Sequence, residues 1–164
     1  MITAPERDDD VATLYRRYVT LVRRRCASLL GDGAAAEDLA QEVFIRFFDQ
    51  RRRGERPDNP AAWLYRAATN RALNLMRDAK RRRALLDVER HSGAESPTHD
   101  DRLDVRRVLA EVPEELAVIA VYYYVDGMDQ QEIGELLDLH RRTVSRRLDD
   151  FRAAAQERLA RRTP

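Results

Sequence analysis

One aromatic ring, two amides and three arginines recur at helical spacing between residues 63 and 81. Their intervals of 3, 4, 4, 3 and 4 residues would align six side chains on one stripe of a helix: Trp63, Arg66, Asn70, Asn74, Arg77 and Arg81. An aromatic ring stacks on an unpaired base, an amide hydrogen-bonds to base edges, and a guanidinium holds phosphate. Side chains of these types can bind unpaired nucleic acid, and core packing is the alternative interpretation of Trp63.

A second group of basic and hydroxyl side chains opens the last helical segment of the chain. Its members are Arg141, Arg142, Thr143, Ser145 and Arg146. Arginines in the first turns of such a helix can pair with guanine in the major groove, each good contact giving about 1–3 kcal/mol of discrimination. A solvated basic face is the alternative interpretation.

Net charge identifies no partner as a total, because 30 basic residues nearly balance 29 acidic ones and leave +1. Along the chain, however, the charge is +8 over residues 51–83, −7 over 101–140 and +5 over 141–164. The two basic blocks contain the two groups described above, which favours phosphate-facing surfaces there. Every basic residue except Lys80 is arginine, a bias that a GC-rich genome would also produce.

Several classes of protein are excluded by what the chain lacks. The first thirty residues contain no apolar signal segment, and no stretch approaches the roughly 18 apolar residues of a membrane span. A cytoplasmic chain without membrane insertion is therefore expected. With one cysteine, Cys26, and histidines only at 91, 99 and 140, no metal-ligand spacing arises, so neither metal nor cofactor is expected. Cys26 is interpreted as a small core residue.

The elements that position these groups are predicted to be helices, because apolar residues recur at helical spacing and sustained alternation is absent. The fold class is all-α. Helices are expected at about 11–30, at 35–50, and from Pro60 to residue 83, with Asn59 as the N-cap of the third. The core face of the first helix is predicted to comprise Leu14, Tyr18, Leu21, Val22 and Leu29.

A second helical domain follows a stretch rich in Gly, Ser, Pro and acids. A short helix is expected at 101–111, another from Pro113 to about Val125, and a third capped by Asp129 with Glu132 three residues later. A turn and a longer helix from Arg141 complete the pattern of a helix-turn-helix. We therefore predict two small helical domains, at residues 1–85 and 101–164, joined by a flexible linker at 86–100.

Three segments are similar to the signature regions of bacterial RNA polymerase sigma factors. They are AEDLAQEVFIRFF at 36–48, NPAAWLYRAATNRALNLMR at 59–77, and the block from VPEELAVIAVYYYVDGMDQQEIGELL to TVSRRL. The similarity covers nearly everything between about residues 11 and 160, and the two-domain length resembles the extracytoplasmic-function (ECF) group. The resemblance implies a non-enzymatic subunit that directs core polymerase to promoters and helps to open them.

The resemblance also implies partners and site residues. The partners are the β′ and β subunits of core polymerase, promoter DNA and an anti-sigma factor. The segment at 36–48 would dock on the β′ coiled coil through one helical face: Asp38, Gln41, Glu42, Ile45 and Arg46. Asn59 and the stripe from Trp63 to Arg81 would recognise the minus-10 element, and the group from Arg141 to Arg146 the minus-35 element. Without the resemblance, a merely solvated face is the alternative for 36–48.

The sequence departs from the family pattern beside the minus-35 group. Asp149 and Asp150 stand where basic or aromatic residues are common, and a carboxylate near phosphate is repulsive unless a neighbour such as Arg146 or Arg152 neutralises it. His140 and Arg142 stand where small residues or proline are common. Two alternatives remain open at this point: a stand-alone helix-turn-helix regulator, and a sigma-like interaction protein with weak promoter use.

Overall fold

The structure, a computed structural model, describes residues 10–89 and 101–161. Every regular element in these two ranges is helical, which confirms the all-α prediction. Contacts between Cα atoms divide the chain into two compact units, with the boundary between Ala72 and Leu73. The predicted domain limits at residues 85 and 101 stay predictions.

The first unit begins with two helices, α1 (Val11–Leu30) and α2 (Gly33–Arg52). Gly31 ends α1 in the left-handed conformation, with φ +70°, and its N–H donates to the carbonyl of Ala27. Asp32 then caps α2, because its carboxylate accepts from the N–H of Ala34 at 3.0 Å. A connection this short makes the two helices neighbours. Helix α1 has the predicted bounds, whereas α2 extends two residues beyond its predicted bounds at each end.

The third helix, α3, runs from Pro60 to Glu89. Asn59 caps it as predicted, since its side-chain oxygen accepts from the N–H of Ala62 at 3.0 Å. The predicted end of this helix at residue 83 is wrong, because the helix continues to Glu89. Ala84 and the leucines after it favour helix, and no Gly or Pro occurs between Ala84 and Gly93. The rest of the predicted linker, 90–100, lies outside the described residues.

The core of the first unit is formed by the inner faces of these helices. Its buried side chains include Leu14, Val22, Cys26, Leu29, Leu39, Val43, Phe44, Phe47, Leu64 and Ala68. The prediction that Leu21 belongs to this core is wrong, since it is 37% exposed. Helical geometry turns Val22, Arg25 and Leu29 inward, and Leu21 lies beside that face.

The second unit contains four shorter elements and one long one after the end of α3. They are α4 (Asp101–Glu111), α5 (Glu114–Ala120), a π-helical turn (Val121–Val125), α6 (Gln130–Leu137) and α7 (Arg141–Ala160). The π-helical turn was predicted as ordinary helix. It buries Val121 and Tyr122 and leaves Tyr124 exposed, so the extra residue in the turn brings an aromatic side chain to the surface.

The helix-turn-helix is present as predicted. Asp129 and Glu132 form a reciprocal capping box at the start of α6. At its end Asp138 takes a left-handed conformation, with φ +54°, and the chain returns so closely that a Cβ on Gly134 would lie 2.6 Å from the carbonyl oxygen of Leu139. Only glycine fits there without a shift of the turn.

Candidate nucleic-acid interface

The outer face of α2 is open to solvent along the predicted docking residues. Asp38, Gln41, Ile45 and Arg46 are exposed and Glu42 is half-buried. The opposite face of the same helix carries Val43 and Phe47, which are buried in the core. Ile45 is 60% exposed, so an apolar side chain stands in the middle of a polar, charged surface.

Glu42 is held by two arginines within the first unit. One carboxylate oxygen accepts from Arg71 Nε at 2.8 Å and lies 2.8 Å from a guanidinium nitrogen of Arg46. The hydrogen bond from Arg71 is the main reason that the pKa of Glu42 lies below its ordinary value; the charges of Arg71 and Arg46 add to this, against partial desolvation. Sequence reasoning missed Arg71 because its partner is 29 residues away and no local pattern joins the two.

In the first unit, the predicted stripe on α3 contains Trp63, Arg66 and Asn70. Trp63 packs against Phe47, with ring centroids 5.4 Å apart, and is partly exposed, so it contributes to the core and still reaches the surface. Arg66 is partly exposed and Asn70 is exposed. Asn59 uses its side-chain oxygen in the helix cap, which leaves its amide N–H groups for other partners.

The remaining stripe residues belong to the second unit. Asn74 accepts a hydrogen bond from Arg77 at 3.1 Å, and the guanidinium of Arg77 also lies 3.5 Å from the carboxylate of Glu114. Arg81 is exposed. Arg77 and Arg81 line an open cleft of about 540 Å³ together with Lys80, Glu111 and Arg158. The cationic side chains outnumber the carboxylate in this cleft, which suits an anionic partner.

The first turns of α7 carry the predicted minus-35 residues. Arg141, Arg142 and Arg146 are exposed, and Thr143 and Ser145 are partly exposed. Val144 and Leu148, on the other side of α7, are fully buried. His140 acts as a local cap, since its Nδ1 accepts from the N–H of Arg142 at 3.2 Å. The helix therefore presents basic and hydroxyl groups to solvent while its apolar face holds it in the unit.

The two acids that depart from the family pattern have different surroundings. Both are exposed, and Asp149 accepts from Arg152 at 2.7 Å, which is one of the predicted neutralising pairs. Arg152 also donates from Nε to the hydroxyl of Tyr124 at 2.9 Å. That hydrogen bond is the main reason that the pKa of Arg152 lies above its ordinary value. Tyr124 was not predicted as a partner, because the π-helical turn that exposes it has no sequence signal.

Cys26 is fully buried, and desolvation raises the pKa of its thiol to about 11, so it is a core residue and not a nucleophile. Within residues 10–89 and 101–161, no group of three or more His, Cys, Asp and Glu side chains is placed to hold a metal ion. None of the helices in those ranges combines the length and apolar character that crossing a bilayer demands.

Comparison with known families matches both parts of the chain. Sigma-70 region 2 matches residues 14–82, and Sigma-70 region 4 matches residues 102–150. An ECF RNA polymerase sigma factor, SigE of Mycolicibacterium smegmatis, is 33% identical over 156 residues; the alignment covers 90% of this chain and 60% of that protein. SigW of Bacillus subtilis, also an ECF sigma factor, is 28% identical and is covered to 89% of its length.

Among solved structures, the fold is similar to that of the sigma factor RpoE from Bartonella quintana, crystallised with the anti-sigma factor NepR. The TM-score is 0.51, the sequence identity is 22%, and the alignment covers 93% of this chain and 98% of that one. The all-helical architecture is thus shared across a wide sequence distance.

Proposed function

The chain belongs to the ECF group of RNA polymerase sigma factors, and we propose that it directs core polymerase to specific promoters and assists initiation. In this proposal α2 docks on core polymerase, α3 captures the opened minus-10 element, and α7 reads the minus-35 element. The covalent chemistry belongs to the polymerase, so we assign the chain neither catalytic activity nor a cofactor.

The outer face of α2 is the observation that carries the proposal. Ile45 is 60% exposed and is surrounded by Asp38, Gln41 and Arg46, although the same helix buries its other side. An apolar side chain within a polar rim is typical of the centre of a protein-protein contact. A stand-alone helix-turn-helix regulator needs no such face, nor a region 2 match over residues 14–82.

The minus-10 element would be captured by the residues of the α3 stripe together with Asn59. Asn70 is the strongest candidate for a base contact, because its amide is exposed in mid-helix, where alanine would be the better helix former. Trp63 can stack on a base only with the part of its ring that Phe47 leaves uncovered. Arg66, Arg77 and Arg81 would hold phosphates on either side.

The minus-35 element would be read by the exposed first turns of α7. Arg141, Arg142 and Arg146 offer planar guanidinium groups, and Thr143 and Ser145 offer hydroxyls. The ion pair between Arg152 and Asp149 offsets the charge of that carboxylate and so would reduce its repulsion of phosphate. Asp150 is exposed, and we expect it to face away from the DNA backbone.

The two family matches, at 14–82 and 102–150, support the proposed division into domains. We propose a region 2 domain from residue 1 to about 85, with α3 continuing to Glu89, and a region 4 domain at 101–164. The partners would be the β′ and β subunits, promoter DNA, and an anti-sigma factor of the kind crystallised with the Bartonella protein. Because the polymerase works in the cytoplasm, we place the chain there.

Core binding by an Ile45 variant tests the docking face. Ile45→Glu should weaken binding to core polymerase by about 10-fold or more, because a charge at the centre of an interface is desolvated without a partner. Val11→Glu is the matched control, since Val11 is an apolar residue of α1 with 55% exposure that lies outside the proposed face.

Affinity would be measured by competition for core polymerase, with thermal unfolding as a check on folding. Equal affinities for the wild type, Ile45→Glu and Val11→Glu would refute docking through this face. Failure of the wild-type chain to bind core polymerase at all would overturn the proposed function.

A further inference from the structure

Arg25 is a charged residue within the apolar face of α1. Its neighbours one turn away, Val22 and Leu29, belong to the core, and Arg25 itself is only 4% exposed. Removing a guanidinium from water is costly unless polar and aromatic partners receive it. A charge in this place therefore needs a structural reason.

Two partners of Arg25 lie on one turn of α3. Its Nε donates to the hydroxyl of Thr69 at 2.9 Å, and its guanidinium carbon lies 4.4 Å from the ring centroid of Tyr65. Thr69 in turn donates to the backbone carbonyl of Tyr65 at 2.8 Å. One planar cation thus contacts both ends of a single helical turn, by a hydrogen bond at one end and a cation–π contact at the other.

The same turn carries residues of the proposed minus-10 surface. Arg66 follows Tyr65, and Asn70 follows Thr69 directly in the sequence. Thr69 is fully buried whereas Asn70 is exposed, so fixing the inward direction of Thr69 also fixes the outward direction of Asn70. Side-chain atoms lie about 5–6 Å from a helix axis, so a rotation of about 20° would move the Asn70 amide by roughly 2 Å.

A displacement of that size is enough to spoil base recognition, because a binding site that is about 1 Å too loose already loses function. We propose that Arg25 is a positioning residue for promoter recognition: through Thr69 and Tyr65 it fixes the rotation of α3 and so aims Asn70 at the base. This inference rests on the proposed function of the α3 stripe and adds a residue that positions the stripe from the core side of the helix. Arg25 itself touches no DNA in this account.

The test uses holoenzyme assembled from core polymerase and the full chain. The base read by Asn70 is first located as the minus-10 position at which Asn70→Ala loses its preference. Selectivity at that position is then compared for the wild type, Arg25→Met, Arg25→Lys, Thr69→Val and the double variant Arg25→Met/Thr69→Val. Arg24→Met is the matched control, because Arg24 neighbours Arg25 on α1 but is exposed.

We expect Arg25→Met and Thr69→Val each to lower selectivity about 5- to 10-fold, within the range that one base contact supplies. The double variant should lose little more than either single one, because the two side chains act through the same hydrogen bond. Arg25→Lys should restore little, since an ammonium lacks the planar group that reaches both partners. The affinity of every variant for core polymerase should stay within about 2-fold of the wild type, a margin of roughly 0.4 kcal/mol. The selectivity of Arg24→Met should stay within the same margin.

A purely structural role predicts a different result. Activity would then fall in proportion to the folded fraction, with the base preference unchanged, and this outcome would overturn the inference. If Arg25→Met is unfolded at the assay temperature, Thr69→Val decides, because valine keeps the shape of threonine and replaces only the hydroxyl with a methyl group. A wild-type holoenzyme with no minus-10 preference would overturn the proposed function and the positioning role together, whereas a preference retained in Thr69→Val overturns the positioning role alone.

Discussion

Asn70 is the residue on which the proposed minus-10 contact depends most. It is exposed on α3, directly after the buried Thr69. Asn70→Ala should reduce open-complex formation about 10-fold while core affinity is unchanged, because one bidentate base contact supplies about 1–3 kcal/mol. The folding stability should hold or rise slightly, since alanine favours helix.

Gln156→Ala is the control for Asn70→Ala, because it removes an exposed amide from the far end of α7. Open complexes can be counted by permanganate reactivity of unpaired thymines, and core affinity by competition. An Asn70→Ala holoenzyme that opens the promoter as well as the wild type does, with the same base preference, would remove Asn70 from the site.

Glu42 gives a pH-dependent contribution to stability with a definite sign. Its pKa lies below the ordinary value of 4.5, chiefly through the hydrogen bond from Arg71, so the folded state favours the charged form. The contribution is therefore complete above the unfolded-state pKa and is lost as the pH falls through the lowered folded-state pKa. Because the pair is about one-third exposed, we expect about 0.2–1 kcal/mol at pH 7.

Urea unfolding of the wild type and Glu42→Gln at pH 7, and again in steps below pH 4.5, measures this contribution. The difference in the free energy of unfolding should shrink towards zero in acid. In an Arg71→Met background, the free energies of unfolding of the chains with Glu42 and with Glu42→Gln should be nearly equal at every pH. A gap between the wild type and Glu42→Gln that is constant from pH 7 to the acid limit would contradict the ion-pair assignment.

The helix-turn-helix depends on the close approach of its turn to α6. A Cβ on Gly134 would lie 2.6 Å from the backbone oxygen of Leu139. The N–H of Leu139 also donates to the carbonyl of Gly134 at 2.8 Å, which holds the turn against α6. Gly134→Ala should therefore destabilise the second unit by about 1–3 kcal/mol and weaken minus-35 binding with it.

Gly33→Ala is the control at the same scale. A Cβ there meets nothing within 4 Å, and its position in the first turn of α2 suits alanine. Its stability should stay level or rise by up to about 1 kcal/mol. Equal thermal midpoints for Gly134→Ala and the wild type would show that the turn can move aside at little cost.

The helices themselves were largely predictable from local signals. Asn59 before Pro60 and the capping box of Asp129 with Glu132 both act within a few residues, and each appears where the sequence indicates. The end of α3 was predicted too early, because the acidic residues after residue 86 were interpreted as part of the linker. Residues 84–89 contain no Gly or Pro that would end the helix. The π-helical turn at Val121–Val125 was missed because its composition also suits ordinary helix.

The contacts between helices were not predictable in the same way. Arg25 and Thr69 are 44 residues apart, and Glu42 and Arg71 are 29 apart, so no periodic pattern connects either pair. Apolar spacing identified the inner face of α1 but wrongly included Leu21. It omitted Arg25, because an arginine is assigned to the polar surface when only residue type is considered. For the candidate site, the residue types and the helical faces that carry them could be predicted from the sequence. The hydrogen-bonding partners of those residues could be identified only in the tertiary structure.

At the scale of the whole molecule, the charge is separated along the chain. The basic blocks at 51–83 and 141–164 include the proposed DNA-facing residues, and the acidic stretch at 101–140 lies between them in sequence. A net charge of only +1 gives the free chain little long-range attraction to DNA. We therefore expect weak DNA binding by the free chain and promoter specificity in the holoenzyme.

Transcription by core polymerase from a library with randomised minus-35 and minus-10 positions tests the central claim most directly. With the chain added, transcripts should come from a subset of templates that share sequence at both elements, and core polymerase alone should select none. Core binding without any promoter-specific transcript would contradict the account and favour a protein-interaction role.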